Sequence, residues 1–91
     1  MARQESEYGF PLSKAEMDVM QLLAEGHTTN SAAARLGITR AAVGARSRRA
    51  REKTGSPNTV QCVAVLALVG KVNLRSPVLL AAAVAYRDAR R

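Results

Sequence analysis

Between Arg40 and Lys53 the chain carries six cationic side chains, Arg40, Arg46, Arg48, Arg49, Arg51 and Lys53, against one acid, Glu52. A guanidinium is a planar fork of donors that matches the O6 and N7 acceptors of guanine, and both guanidinium and ammonium groups bind phosphate. On a helix of period 3.6 residues, Arg40, Gly44, Ala45 and Arg48 fall roughly on one side. That side is long-armed at its ends and small in the middle, so its backbone can approach a base-pair edge. On this reading Arg40 and Arg48 reach bases, while Arg46, Arg49, Arg51 and Lys53 bind phosphates and fix register without reading sequence. Thr39, at the helix N-terminus where N–H groups and the dipole favour anions, adds a phosphate contact.

The residues just before this helix can position it. In Leu36-Gly37-Ile38-Thr39, Gly37 can take the positive φ needed past a helix end, Ile38 can plug the core, and Thr39 can cap the next helix. A short helix, a tight turn and a second helix follow.

The net charge of +7 is unevenly spread: residues 1–34 carry two basic and five acidic groups, residues 35–53 seven and one, and residues 54–91 five and one. Such a gradient suits a face that meets phosphate. Ninety-one residues make one small domain with a marginal core, of the kind that gains stability by pairing. The single Cys62 excludes an intramolecular disulfide and fits a reducing cytoplasm. No Cys/His cluster has metal-site spacing, and His27 stands alone, a loop residue without a ligand partner. The apolar runs Cys62–Val69 and Pro77–Tyr86 are too short to span a bilayer, and the first residues do not read as a charged-then-apolar leader, so neither membrane insertion nor secretion is expected. No nucleophile–base constellation, acid/base pair or phosphate-cradling glycine loop is present, so the expectation is a non-enzyme without cofactor or metal.

Residues 1–11 read as a polar arm, with Phe10 and Leu12 the first anchored positions. Ser13-Lys14-Ala15-Glu16 has the spacing of a capping box and starts a helix over 14–25, with Val19, Met20 and Leu23 as its apolar stripe and Gly26 ending it. A second helix over 30–36, kept thin by Ala32-Ala33-Ala34, lets the basic helix cross it closely. In that third helix, over 40–53, Val43, Ser47, Ala50 and Thr54 face inward. Gly55-Ser56-Pro57 then stops it and starts a fourth over 58–70, Ser56 as cap and Pro57 in the first position. A valine-rich strand is the other reading of 60–69, but it has no partner run. Ser76-Pro77 repeats the cap-and-proline start for a fifth helix over 78–90, with Val78, Leu79, Ala82, Ala83 and Tyr86 apolar and Arg87, Arg90 and Arg91 at its negative end.

Residues 12–63 resemble the LuxR/GerE-type helix-turn-helix family, the output domains of many bacterial transcription regulators. The matching residues are Leu12-Ser13 with Glu16, Val19-Met20, Leu22 to Gly26, Ala33, Leu36 to Thr39, Val43, Lys53 and Asn58-Thr59-Val60-Gln61. The resemblance implies an all-α fold: a four-helix domain over 12–70, plus an additional C-terminal helix over 71–91 that has no counterpart in the common domain. It implies that the third helix enters the major groove and that the fourth pairs two subunits. By position it places Gly44, Ala45 and Arg48 at bases or adjacent phosphates and Arg46 at the backbone. Gly44 stands where the family usually has Lys, Ala50 where it has a hydrophobic residue and Thr54 where it has Leu, which shifts base reading to Arg40 and Arg48. Val43 to Lys53 also resembles the promoter-reading region of sigma factors.

A single helix reads few base pairs, so a homodimer on two half-sites is expected, paired through Val60, Val63, Ala64 and Ala67. The functional expectation is a cytoplasmic, nucleoid-associated regulator that binds double-stranded DNA. Its rival is a helix-turn-helix interaction module whose basic face binds a transcription factor, sigma factor or RNA polymerase subunit.

Overall fold

The computed structural model describes residues 11–89, with the side chain of Tyr86 left aside. Of the expected arm over residues 1–11 all but Pro11, together with the anchoring of Phe10, the Tyr86 side chain and the terminal Arg90 and Arg91, lie outside the described residues. The fold is all-helical: α1 Lys14–Ala24, α2 Thr29–Leu36, α3 Arg40–Thr54, α4 Thr59–Leu68 and α5 Pro77–Ala89.

Each helix starts where a side-chain oxygen satisfies a free backbone donor. Ser13 Oγ accepts from the Glu16 N–H (3.1 Å) while Glu16 Oε1 accepts from the Ser13 N–H (3.0 Å), closing the capping box. Thr28 caps α2 through the Ser31 N–H, and Thr39 caps α3 through the Ala42 N–H. Gly37, at φ 69° and ψ 33°, turns the chain between α2 and α3 in the left-handed region that side chains with a Cβ avoid. The start of α4 differs from the expectation. Asn58, not Ser56, is the cap, its Oδ1 accepting from the Gln61 N–H at 2.9 Å. Ser56 instead donates its N–H to Arg51 O (2.8 Å), which closes the end of α3, and its hydroxyl bonds Thr54 Oγ1. The strand alternative for 60–69 gives way to helix.

The core is where α1, α3 and α4 meet over α2. Val19, Met20, Val43, Cys62, Val63 and Leu66 are at most 1 % exposed, and Ala32 and Ala33 let α2 lie close to α3. Leu23, Leu36 and Ile38 pack on this core while half-buried. On α3 the inward face is small and partly polar, as its spacing predicts: Val43, Ser47 and Ala50 are buried and Thr54 half-buried. Ser47 Oγ donates to Gly44 O, and Thr54 Oγ1 to Ala50 O and Arg51 O, so both hydroxyls are satisfied within the helix. Burial pushes the Cys62 thiol above its ordinary pKa, against the opposing hydrogen bond from Thr54 and the charge of Arg51.

The fifth helix packs chiefly on α4. Its connection is strapped to α1: Gln21 Nε2 donates to Asn73 O (3.2 Å), Asn73 N–H donates to Gln21 Oε1 (3.0 Å), and the Arg75 N–H bonds Ala24 O (3.1 Å). Val72 is buried under this strap. Cys62 and Leu66 point into the core, whereas Ala64 lies roughly 160–200° away from them around the helix. Ala64 is nevertheless only 1 % exposed, because α5 crosses there, with Ala82 and Ala83 half-buried and buried at its inner face. The expected pairing face is thus covered by the chain's own last helix. Val63 belongs to the core and Ala64 to the α4–α5 contact, so neither can be buried further by a second copy. Of the four residues only Val60, 42 % exposed, remains open, with Ala67 half-buried.

Leu66→Ala empties a fully buried site between these layers and is expected to destabilise the fold by about 2–5 kcal/mol. Urea unfolding of the two proteins measures this, and a loss under about 1 kcal/mol would show that Leu66 is not central to the core.

Candidate nucleic-acid interface

Thr39 ends the turn and α3 begins at Arg40, so the turn geometry sets which side of α3 faces out. Ala41, Gly44 and Arg48 are exposed, with Ala45 half-buried beside them, on the side away from Val43, Ser47 and Ala50; Arg40 is exposed as the first residue of the helix, in line with the inward series at its open N-terminal end. A Cβ at Gly44 would meet nothing within 4 Å, so this part of the helix is open. Arg40 also borders, with Thr29, Thr39 and Ala41, an open cleft of about 520 Å³ between the starts of α2 and α3. The Thr39 hydroxyl is occupied as acceptor by its own helix cap. Among the described residues Arg40, Arg46 and Arg48 make no ion pair or side-chain hydrogen bond, Arg46 lying half-buried on the flank.

The remaining cations of the helix are bound within the chain. Glu16, 4 % exposed, receives Lys53 Nζ on Oε1 at 2.8 Å and faces Arg49 Nε from Oε2 at 3.4 Å. Lys53 Nζ also donates to Pro11 O (3.3 Å). Burial alone would raise the Glu16 carboxyl, but the hydrogen bonds from Lys53 and the Ser13 N–H, the Lys53 charge and Arg49 outweigh it and hold the pKa below its ordinary 4.5. Arg51 turns towards the α3–α4 junction, where Nη1 donates to Pro57 O (3.4 Å) and Nε is shut off from solvent without a hydrogen-bond partner.

The six cations therefore divide into two sets that composition alone does not separate. Arg40, Arg46 and Arg48 are available, whereas Arg49, Arg51 and Lys53 have internal partners. The residue missed in the sequence is Glu16, read there only as half of a capping box. A signal was present: Glu16 lies three and four residues before Val19 and Met20, on the apolar stripe of α1, where a carboxylate must find a cation. His27 sits within the α1–α2 connection, its Nδ1 bonded to Ser31 Oγ at 2.8 Å. No group of His, Cys, Asp and Glu that could hold a metal ion occurs among the described residues, and no described helix is long and apolar enough to cross a membrane.

A short helix and a longer one joined by a Gly37 turn, the second presenting unpaired arginines, form a helix-turn-helix, and residues 10–66 match the family model described as bacterial regulatory proteins, luxR family (GerE). The chain belongs to the LuxR family. The domain is accordingly a DNA-binding regulatory one, of the LuxR/GerE type, with an additional C-terminal helix. No curated protein matches the chain, and no solved structure does. Within this LuxR-type domain the match ends inside α4, so α5 lies wholly beyond it.

Because the folded-state pKa of Glu16 is depressed, its ion pairs stabilise the domain fully above the ordinary carboxylate pKa and are lost as pH falls through the folded value. Stability is expected to decline on acidification below about pH 4.5, and Glu16→Gln to flatten that decline while costing about 1–3 kcal/mol at neutral pH. Urea midpoints against pH for both proteins check this; parallel curves would remove Glu16 from the account.

Proposed function

We propose that this protein is a sequence-specific transcription regulator that binds double-stranded DNA as two copies, each laying α3 in the major groove. The observation that carries the reading is the pair Arg40 and Arg48, exposed and without internal partners, flanking the small residues Gly44 and Ala45. Arg40 and Arg48 read base edges by bidentate donation. Arg46, with the N-terminal end of α3 at Thr39, binds phosphate. Arg49, Arg51 and Lys53 add to the positive field of the face and reach phosphate only by leaving Glu16 or Pro57 O. Residues 12–70 act as the DNA-binding unit and 71–91 as a separate helical extension. The setting that suits this activity is the nucleoid in the cytoplasm.

The other reading, a basic face that binds an acidic surface of a transcription factor, sigma factor or RNA polymerase subunit, draws on the same charge. Affinity for duplex DNA that falls steeply with salt favours the first. Selection of bound duplexes from a random-sequence library tests it directly: an enriched inverted repeat with half-sites about one helical turn apart is the expected outcome, and no enrichment defeats the sequence-specific reading.

On the selected duplex, Arg48→Ala is expected to cost about 1–3 kcal/mol and to relax preference at one base pair, while Arg46→Ala weakens selected and scrambled duplexes alike. Equal losses on both duplexes for Arg48→Ala would move the base contact elsewhere.

A further inference from the structure

The last helix solves one burial problem and leaves another. From Pro77 to Ala85 α5 contains no polar side chain, so this stretch is apolar around its whole circumference. Such a helix is stable in water only when more than one of its faces is covered. One face lies on α4. Beside it Leu80 (52 % exposed) and Val84 (39 %) share one flank, which Leu68 of α4 (49 %) continues; Val78 (76 %), roughly 160° from Leu80 around the helix, lies towards the opposite flank, on the side of Val60 of α4 (42 %). These five are all the exposed large hydrophobic residues among the described part of the chain. A groove runs along each side of the α4–α5 seam: one of about 370 Å³ includes Leu68, Leu80 and Val84 with Arg87 at its edge, and one of about 460 Å³ includes Val60, Ala82 and Ala85.

Charge selects the occupant. The chain carries +7, so most ways of bringing two copies together oppose like charges. The α4–α5 surface is the exception: α4 has no charged residue, and the described charges of α5 are Arg87 and Asp88, adjacent and 3.8 Å apart. An acidic partner gains nothing there and is drawn instead to α3. The α5 helix packs chiefly on α4 rather than on α3, so a contact through its outer side does not use the outer face of either reading helix. We infer that the outer α4–α5 face is the surface through which two copies of this chain pair, the ridge of Leu80 and Val84 from each copy seated against the seam of the other. The inference rests on the two-copy reading above and gives it a surface in place of the covered one at Val63 and Ala64.

The test is sedimentation velocity of the full chain over a range of concentrations, alongside the double variant Leu80→Glu, Val84→Glu and, as an independent probe on the same flank, Leu68→Lys. The expected result is a dimer for the unaltered chain and a monomer for the variants, with unchanged helical circular dichroism. On duplexes with one and two half-sites, the monomeric variants should keep their single-site affinity and lose about tenfold or more on the double site. An unaltered chain that remains monomeric both free and on DNA overturns the inference, as do folded variants that still dimerise. A monomer that instead binds vesicles of mixed anionic and zwitterionic lipid assigns the face to a membrane surface and likewise overturns it. A dimer that binds no duplex leaves the pairing intact and defeats the DNA reading, so the two failures are distinguishable.

Discussion

The buried carboxylate of Glu16 is the constraint around which the domain is arranged. A charge in that position is tolerable only if paired, and its two oxygens are divided among the Ser13 N–H, Lys53 and Arg49. One side chain thereby fixes the first turn of α1 and the last two turns of α3 against each other. With its C-terminal half held in this way and its N-terminus set by the Gly37 turn and the Thr39 cap, α3 can present its outer face in only one rotation. The basic helix is thus held at both ends, towards its C-terminus by a carboxylate that takes no part in the reading proposed for it. The same pairings divide its cations, since those near its end serve the fold and those towards its start face solvent.

What the sequence shows of this arrangement follows from the range of the interactions. The capping box at Ser13, the cap at Thr39, the stop at Gly37 and the inward series Val43, Ser47, Ala50 and Thr54 are local patterns, and the structure agrees with each. The link between Glu16 and residues 49 and 53 spans more than thirty positions, so spacing cannot reveal it. The start of α4 is a case of two local signals in competition. Ser56-Pro57 has the form of a cap and first helical residue, but the Ser56 N–H is already committed to closing α3, which passes the cap to Asn58.

The covering of α4 was half legible. An all-apolar fourth helix demands cover on two sides, and the sequence shows that demand without showing what meets it. Ala64, Ala82 and Ala83 are the physical answer: small residues where two helices cross allow close approach, and a fifth helix that is itself apolar provides the area. The Gln21–Asn73 clamp then sets where that helix begins relative to α1.

Gly44 stands in the middle of the exposed face of α3, in open space and with ordinary helical backbone. A glycine inside a helix costs about 0.5–1 kcal/mol relative to alanine, and no neighbour here requires one. Core and outer face are therefore separable at this residue: a larger side chain can be accommodated without displacing any packed atom, and helix stability rises rather than falls. Diversification of the outer surface of this helix can begin at a position where the scaffold offers no resistance, so that descendants of one fold could acquire different preferences without first acquiring compensating changes in the interior.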